Sequence, residues 1–338
     1  MILPSFVMGR KRQLDARRDS PSNSRAGPGL ALVLVLSLSA RIALPQAEVR
    51  EGFVTTADSV RLYTRIVGDG QETVLVPMAS LHSDRLDGLA RSRRLVLYDP
   101  RGRGRSDRVA PAKVSLEHQL ADVETIRRSV GAEQVVLIGW SGLGMEMFVY
   151  ALRHPGRVSR LVQLAPVPPR QSPYMKAMMD DRWARTDSLA AQELEAQVAA
   201  GVYANRQADL CRAINRLSWP ATFADPEKAQ LAPDVCDLAC EWPENLRPYF
   251  GALLGSFGEY DWRAAIDSVT VPRLVVHGEQ DNIPLDGVRE WVTGRGQARL
   301  LRVEAAGHWP HYEQPALVLA ALDSFLSGHW PAGSSGGP

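Results

Sequence analysis

Gln134-Val-Val-Leu-Ile-Gly139-Trp140-Ser141-Gly142-Leu143-Gly144-Met145 is the stretch that decides the fold. A short β-branched run stops at Gly139, a serine follows two residues later, and an amphipathic run begins at once. That order predicts strand, sharp turn and helix, with a hydroxyl at the apex of the turn. A serine held there on strained backbone stands clear of both elements, and the N–H of the next residue points toward whatever it attacks. A strand running into a glycine-rich helix start also suits an anion, since free N–H groups and the helix dipole meet there. The glycines at 139, 142 and 144 do not keep the G-x-G-x-x-G spacing and no phosphate-loop lysine is present, so the nucleophile is the stronger reading.

Working outward, the flanking chain alternates strands with helices. Phe53–Thr56 and Arg61–Val67 read as a hairpin of half-exposed strands around Ala57-Asp58-Ser59. Thr73-Val-Leu-Val-Pro77 and Arg94-Leu-Val-Leu-Tyr98 are continuous apolar runs, as expected of strands buried on both faces. Ser115 caps a helix whose stripe is Leu116, Leu120, Val123 and Ile126. Arg160–Ala165, Pro272–His277 and Ala298–Val303 supply later strands, and Pro315–Leu326 a last helix. The expected fold class is α/β, a doubly wound, mainly parallel sheet, in which ligands sit at the carboxyl ends of the strands. Ser141 lies at such an end.

The alternation stops after Pro166. Residues 167–267 read as a helical insertion, with one long helix over Arg182–Val202 and breaks at Trp219-Pro220, Trp242-Pro243 and Trp262. Placed after a strand that ends at the active edge, the insertion reads as a lid. Residues 49–166 and 268–328 then form the core, and 329–338, rich in Gly, Ser and Pro, a flexible tail. Residues 1–48 hold a basic, Ser/Pro/Gly-rich start and the apolar run Gly29–Ala40, which suits a secretory signal and is too short to span a bilayer. This favours export or a periplasmic location over the cytoplasm.

Composition narrows the function. With 39 Lys+Arg against 38 Asp+Glu the net charge is +1, which gives no electrostatic case for a nucleic-acid partner. The three cysteines, Cys211, Cys236 and Cys240, fit no zinc spacing, and no metal or organic cofactor is implied. Small buried thiols are the simpler reading of them, with a disulfide between two of them open in an exported protein.

A serine nucleophile at neutral pH needs a histidine base, and the histidine a carboxylate to hold its tautomer and stabilise its cation. Asp281, in His277-Gly-Glu-Gln-Asp281, follows one later strand, and His308, in Ala306-Gly-His308-Trp-Pro310, follows the next. Ser141, Asp281 and His308 thus stand at three strand ends in an order known for hydrolases of the α/β class. Asp99-Pro-Arg-Gly-Arg-Gly-Arg-Ser106 resembles the D-x-R-G-x-G-x-S loop of the α/β-hydrolase superfamily, Gly278–Asp281 its G-x-x-D, and Gly307-His-Trp-Pro-His-Tyr-Glu-Gln-Pro315 its G-H-x-x-x-x-E-x-P. The resemblance covers about residues 50–327 and is strongest to prolyl-iminopeptidase-like and small-ester hydrolases.

The resemblance implies a Ser-His-Asp hydrolase acting on a small ester, with a short peptide's N-terminus as the alternative substrate and a non-catalytic ligand-binding member as the alternative class. Its oxyanion donors would be the N–H groups of Ala79 and Gly142. Two departures stand out. Pro77-Met78-Ala79-Ser80 replaces the family's His-Gly, and Leu143 takes a usually small position, so clearance must come from Gly142 and Gly144. Met78, Trp140 and Glu244 are candidate pocket residues. Glu241 and Glu244 read either as amine binders or as a solvated surface, while Asp99 and Arg101 read as a buried pair holding their loop. His82, His118, His154, His277, His311 and His329 read as packing or surface residues.

Overall fold

The computed structural model describes residues 48–294 and 297–336; residues 1–47, which carry the signal-like segment, lie outside the described residues. The apolar runs become buried strands because each is covered on two faces. The chain runs β1 (Val49–Thr55), β2 (Arg61–Val67), β3 (Thr73–Pro77), α1 (Ala79–His82), β4 (Arg94–Tyr98), α2 (Leu116–Ser129), β5 (Val135–Trp140), α3 (Gly142–Arg153) and β6 (Val158–Leu164). It continues through α4 (Tyr174–Ala184), α5 (Ser188–Ala199), α6 (Gln207–Ser218) and α7 (Pro243–Phe257). It ends with β7 (Arg273–Gly278), α8 (Leu285–Arg289), β8 (Ala298–Val303), α9 (Pro310–Glu313), α10 (Pro315–Leu326) and β9 (Ser335–Gly336).

The strands form one sheet in the order β1-β2-β4-β3-β5-β6-β7-β8-β9. From β4 to β8 neighbours are parallel, and β1, β2 and β9 are antiparallel to their neighbours. One face packs on α2 and α3 through Leu120, Val123, Met145 and Phe148, and the other on α10 through Val318, Leu322 and Phe325. The chain steps from β3 outward to β4, then returns to the far side of β3 as β5. That reversal opens a crevice at the carboxyl ends of β3 and β5, where doubly wound sheets bind ligands. The residues after those two strands are Met78-Ala79 and Ser141.

Between β6 and β7 the chain is helical. The single helix expected over Arg182–Val202 is two, because the Asp187 carboxylate accepts from Leu189 N–H (2.9 Å) and Ala190 N–H (3.1 Å) and starts α5 afresh. The thiol reading also needs correction: Cys211 of α6 is bonded to Cys236, and only Cys240 is a free, buried thiol. Nor is the C-terminal segment a loose tail as far as Gly336. Trp330 packs on Phe325 and under Arg299, and Leu300 and Arg299 pair with Ser335 and Gly336. The aromatic ring and the exposed edge of β8 hold what composition alone would leave free.

Candidate active site

The serine turn is built as its residues require. Ser141 has φ 56° and ψ −128°, a left-handed conformation rare for a side-chain-bearing residue, and its N–H donates to Leu164 O at 2.9 Å. A methyl group added to Gly139 would overlap the Leu143 carbonyl, and one on Gly144 would lie 3.1 Å from Pro166 Cβ. One on Gly142 would meet nothing within 4 Å. Clearance therefore comes from Gly139 and Gly144, not from Gly142 and Gly144 as the sequence suggested.

The structure brings the three expected residues together. His308 Nε2 is 3.0 Å from Ser141 Oγ, and His308 Nδ1 is 3.0 Å from Asp281 Oδ2. Asp281 Oδ1 accepts from Ile283 N–H at 2.9 Å. Burial pushes the Asp281 carboxyl up, but His308, His277 and the Ile283 N–H outweigh it and hold the group below the usual carboxylate range. Ionised Asp281 puts the neutral imidazole's proton on Nδ1 and leaves Nε2 free to accept from the hydroxyl.

Met78 and Ala79 lie across the crevice. Met78 is fully buried with φ 68°, the conformation that a glycine would adopt at least cost. As first residues of α1 and α3, Ala79 and Gly142 have N–H groups without intrahelical acceptors. Trp140 Nε1–H donates to His308 O at 2.8 Å, and its ring packs on Trp309 at 4.3 Å between centroids. Met78, Phe223 and Trp309 form one apolar cluster, with Trp140, Leu143 and Trp219 against it.

Other expected residues sit elsewhere. Glu244 is half exposed and lies 3.8 Å from Arg108. Glu241 is no solvated surface group: it is buried, accepts from Arg103 Nε (3.0 Å) and Nη2 (2.9 Å), and accepts from Gly104 N–H at 2.7 Å. Asp99 and Arg101 are not paired. Asp99 is used up by Ser80 N–H (2.8 Å) and Arg105 N–H (2.9 Å), while Arg101 reaches Asp122 of α2 at 2.6 Å and Asp58 at 3.0 Å. Side-chain reach decided these pairings, and no sequence period records it.

Four supporting residues were given no part in the chemistry by the sequence reading, which took the three histidines as packing or surface residues. Glu313 closes the His308 loop by accepting from Gly307 N–H at 2.6 Å and from Ala224 N–H at 2.9 Å. His277 is buried with Nδ1 3.5 Å from Asp281 Oδ2, and desolvation holds it neutral. His82 and His311, both buried, meet with Nδ1 and Nε2 3.1 Å apart. Glu313 was available from its place in the G-H-x-x-x-x-E pattern; the histidines carried no local signal.

Fold and site define a protein of the α/β-hydrolase class, and comparison with known proteins agrees. The chain belongs to the alpha/beta hydrolase fold family, whose profile matches residues 82–315. It is 31% identical to the serine hydrolase BPHL of Mus musculus over 74% of this chain and 79% of that one. It is 27% identical to a pimeloyl-[acyl-carrier protein] methyl ester esterase of Aromatoleum aromaticum, over 58% and 75% respectively. The proline iminopeptidase of Mycobacterium smegmatis superposes with a TM-score of 0.64 over 83% of this chain and 98% of that one, at 19% identity, a likeness of fold. Among the described residues no helix is long and apolar enough to cross a membrane.

Proposed function

We propose that the protein is a serine hydrolase that cleaves a small ester and transfers its acyl group to water. The observation that carries this is the unbroken line Asp281–His308–Ser141, with 3.0 Å at each step, ending on a hydroxyl raised on a left-handed turn. In this reading Ser141 Oγ attacks the acyl carbonyl as its proton passes to His308 Nε2. Asp281 stabilises the imidazolium through Nδ1–H. The oxyanion forms against the N–H groups of Gly142 and Ala79, where one donor is worth about 10²–10³ in kcat. His308 then protonates the leaving alcohol, activates water as general base, and returns the proton to Ser141.

Helices α4–α7 act as the lid that shapes the pocket over Trp140 and Met78. Of the carboxylates proposed to hold a peptide's amine, Glu241 is spent on Arg103 and Glu244 faces solvent, which favours ester over N-terminal residue. Turnover of p-nitrophenyl butanoate beside aminoacyl p-nitroanilides tests the choice. Ester turnover that disappears in Ser141→Ala supports it. Turnover of free-amine anilides alone would make the aminopeptidase the correct reading.

A further inference from the structure

The insertion between β6 and β7 encloses a cavity of its own, about 380 Å³, at the small end of the roughly 300–1,000 Å³ usual for small-molecule sites. One wall is a single face of α6, where Arg212, Asn215, Arg216 and Trp219 follow at helical spacing. The other wall is the segment that follows, with Pro226, Glu227, Pro233 and Asp234. The Cys211–Cys236 disulfide joins the two walls. Arg212 repeats the tie, donating to Asp234 Oδ2 at 2.6 Å and to Asp237 Oδ1 at 2.5 Å. A cavity with cross-linked walls is formed before anything binds in it, so little ordering cost is left to the ligand. None of the residues that line it comes from the loops that carry Ser141, Asp281 and His308.

Four charged side chains line this cavity, and two of them are already engaged. Arg212 holds Asp234 and Asp237, and Asp234 Oδ1 also accepts from Cys236 N–H at 2.9 Å. The other two, Arg216 and Glu227, are exposed and stand on opposite walls. Neither forms an ion pair among the described residues, with the other or with a third group, and Arg216 acts on Asp234 only through its field. The rest of the lining is mainly apolar, led by the Trp219 indole and the rings of Pro220, Pro226 and Pro233. Flat faces of this kind favour a ligand ring. An anion would meet Arg216 but be repelled by Glu227, and a cation the reverse. A molecule with both charges and a ring satisfies all three features.

We propose that this cavity binds a free aromatic α-amino acid, with its carboxylate on Arg216, its ammonium on Glu227 and its ring against Trp219. The site goes beyond the ester-hydrolase reading and does not rest on it. Calorimetry with the full-length protein near neutral pH tests it, using L-phenylalanine, L-tyrosine and L-tryptophan as ligands. Three truncated probes accompany them: 3-phenylpropanoate without the ammonium, phenethylamine without the carboxylate, and L-alanine without the ring. At least one aromatic amino acid should bind about tenfold or more tighter than every truncated probe. Arg216→Gln should remove its advantage over phenethylamine, and Glu227→Gln its advantage over 3-phenylpropanoate. Both positions are exposed, so neither substitution threatens the fold. Trp219→Leu should bring the aromatic amino acid close to alanine.

No binding by any of the three amino acids, or binding no tighter than that of the truncated probes, overturns the site. So does a preference untouched by both Arg216→Gln and Glu227→Gln. That result would put the amino acid elsewhere, as a product held at the catalytic centre of an aminopeptidase would be. Binding that follows Arg216 and Glu227 in a protein without ester turnover would instead leave the site standing and sink the hydrolase reading.

Discussion

Ser141 occupies a backbone conformation that costs on the order of 1–3 kcal/mol for a residue with a side chain. The strain persists because β5, α3 and the Leu164 carbonyl fix both sides of the turn. Its neighbours divide sharply in what they tolerate. Gly139→Ala drives a methyl into the Leu143 carbonyl and should destabilise the protein by more than about 2 kcal/mol, or prevent folding. Gly142→Ala meets open space and should stay within about 1 kcal/mol of wild type in urea unfolding. Equal losses for the two would contradict this account of the turn. Both glycines look alike in Gly139-Trp-Ser-Gly-Leu-Gly144, since the sequence shows spacing but not which carbonyl folds back over which α-carbon. The same limit explains the misassigned pairing of Asp99 with Arg101 and the choice of Glu244 as pocket residue over the buried Glu241.

The elements were far more legible than their contacts. β2, β3, β4, β8 and α10 run as their apolar patterns predict, because strand burial and the helix period are local properties of the chain. The division of the α4–α5 stretch at Asp187 was missed, since a cap residue inside a helical pattern is visible only once its N–H partners are. What ties the elements at the site is long-range. His311 on α9 meets His82 on α1, and the Tyr312 hydroxyl donates to the Leu81 carbonyl. These contacts fasten the Met78–Ala79 turn to the loop bearing His308. His311→Ala should therefore lower kcat about tenfold with KM within twofold, while His311→Gln, which keeps a hydrogen-bonding group, should recover much of it. Equal kinetics for wild type and His311→Ala would remove this tie from the account.

At the scale of the whole molecule, a buried carboxyl contributes to how stability responds to pH. Glu146 on α3 is buried near Arg103, with Oε2 unpartnered, and desolvation raises it to about 8, opposed only by Arg103. The folded protein thus binds a proton that the unfolded chain has already released above its ordinary value of 4.5. The stability tied to that proton is complete below pH 4.5 and drains away as the pH rises through about 8. Glu146→Gln, neutral at every pH, should flatten this decline and melt higher than wild type at pH 8, by an amount that shrinks toward pH 5. A melting difference independent of pH would show that Glu146 does not carry the effect. The central claim concerns the site that this fold assembles at the carboxyl ends of β3 and β5. Its most direct test is peptide mass analysis after incubating the folded protein with a fluorophosphonate. The account predicts one adduct, on Ser141, reduced at least a hundredfold in rate by His308→Ala. An unlabelled Ser141 in folded protein, or labelling indifferent to His308, would contradict it.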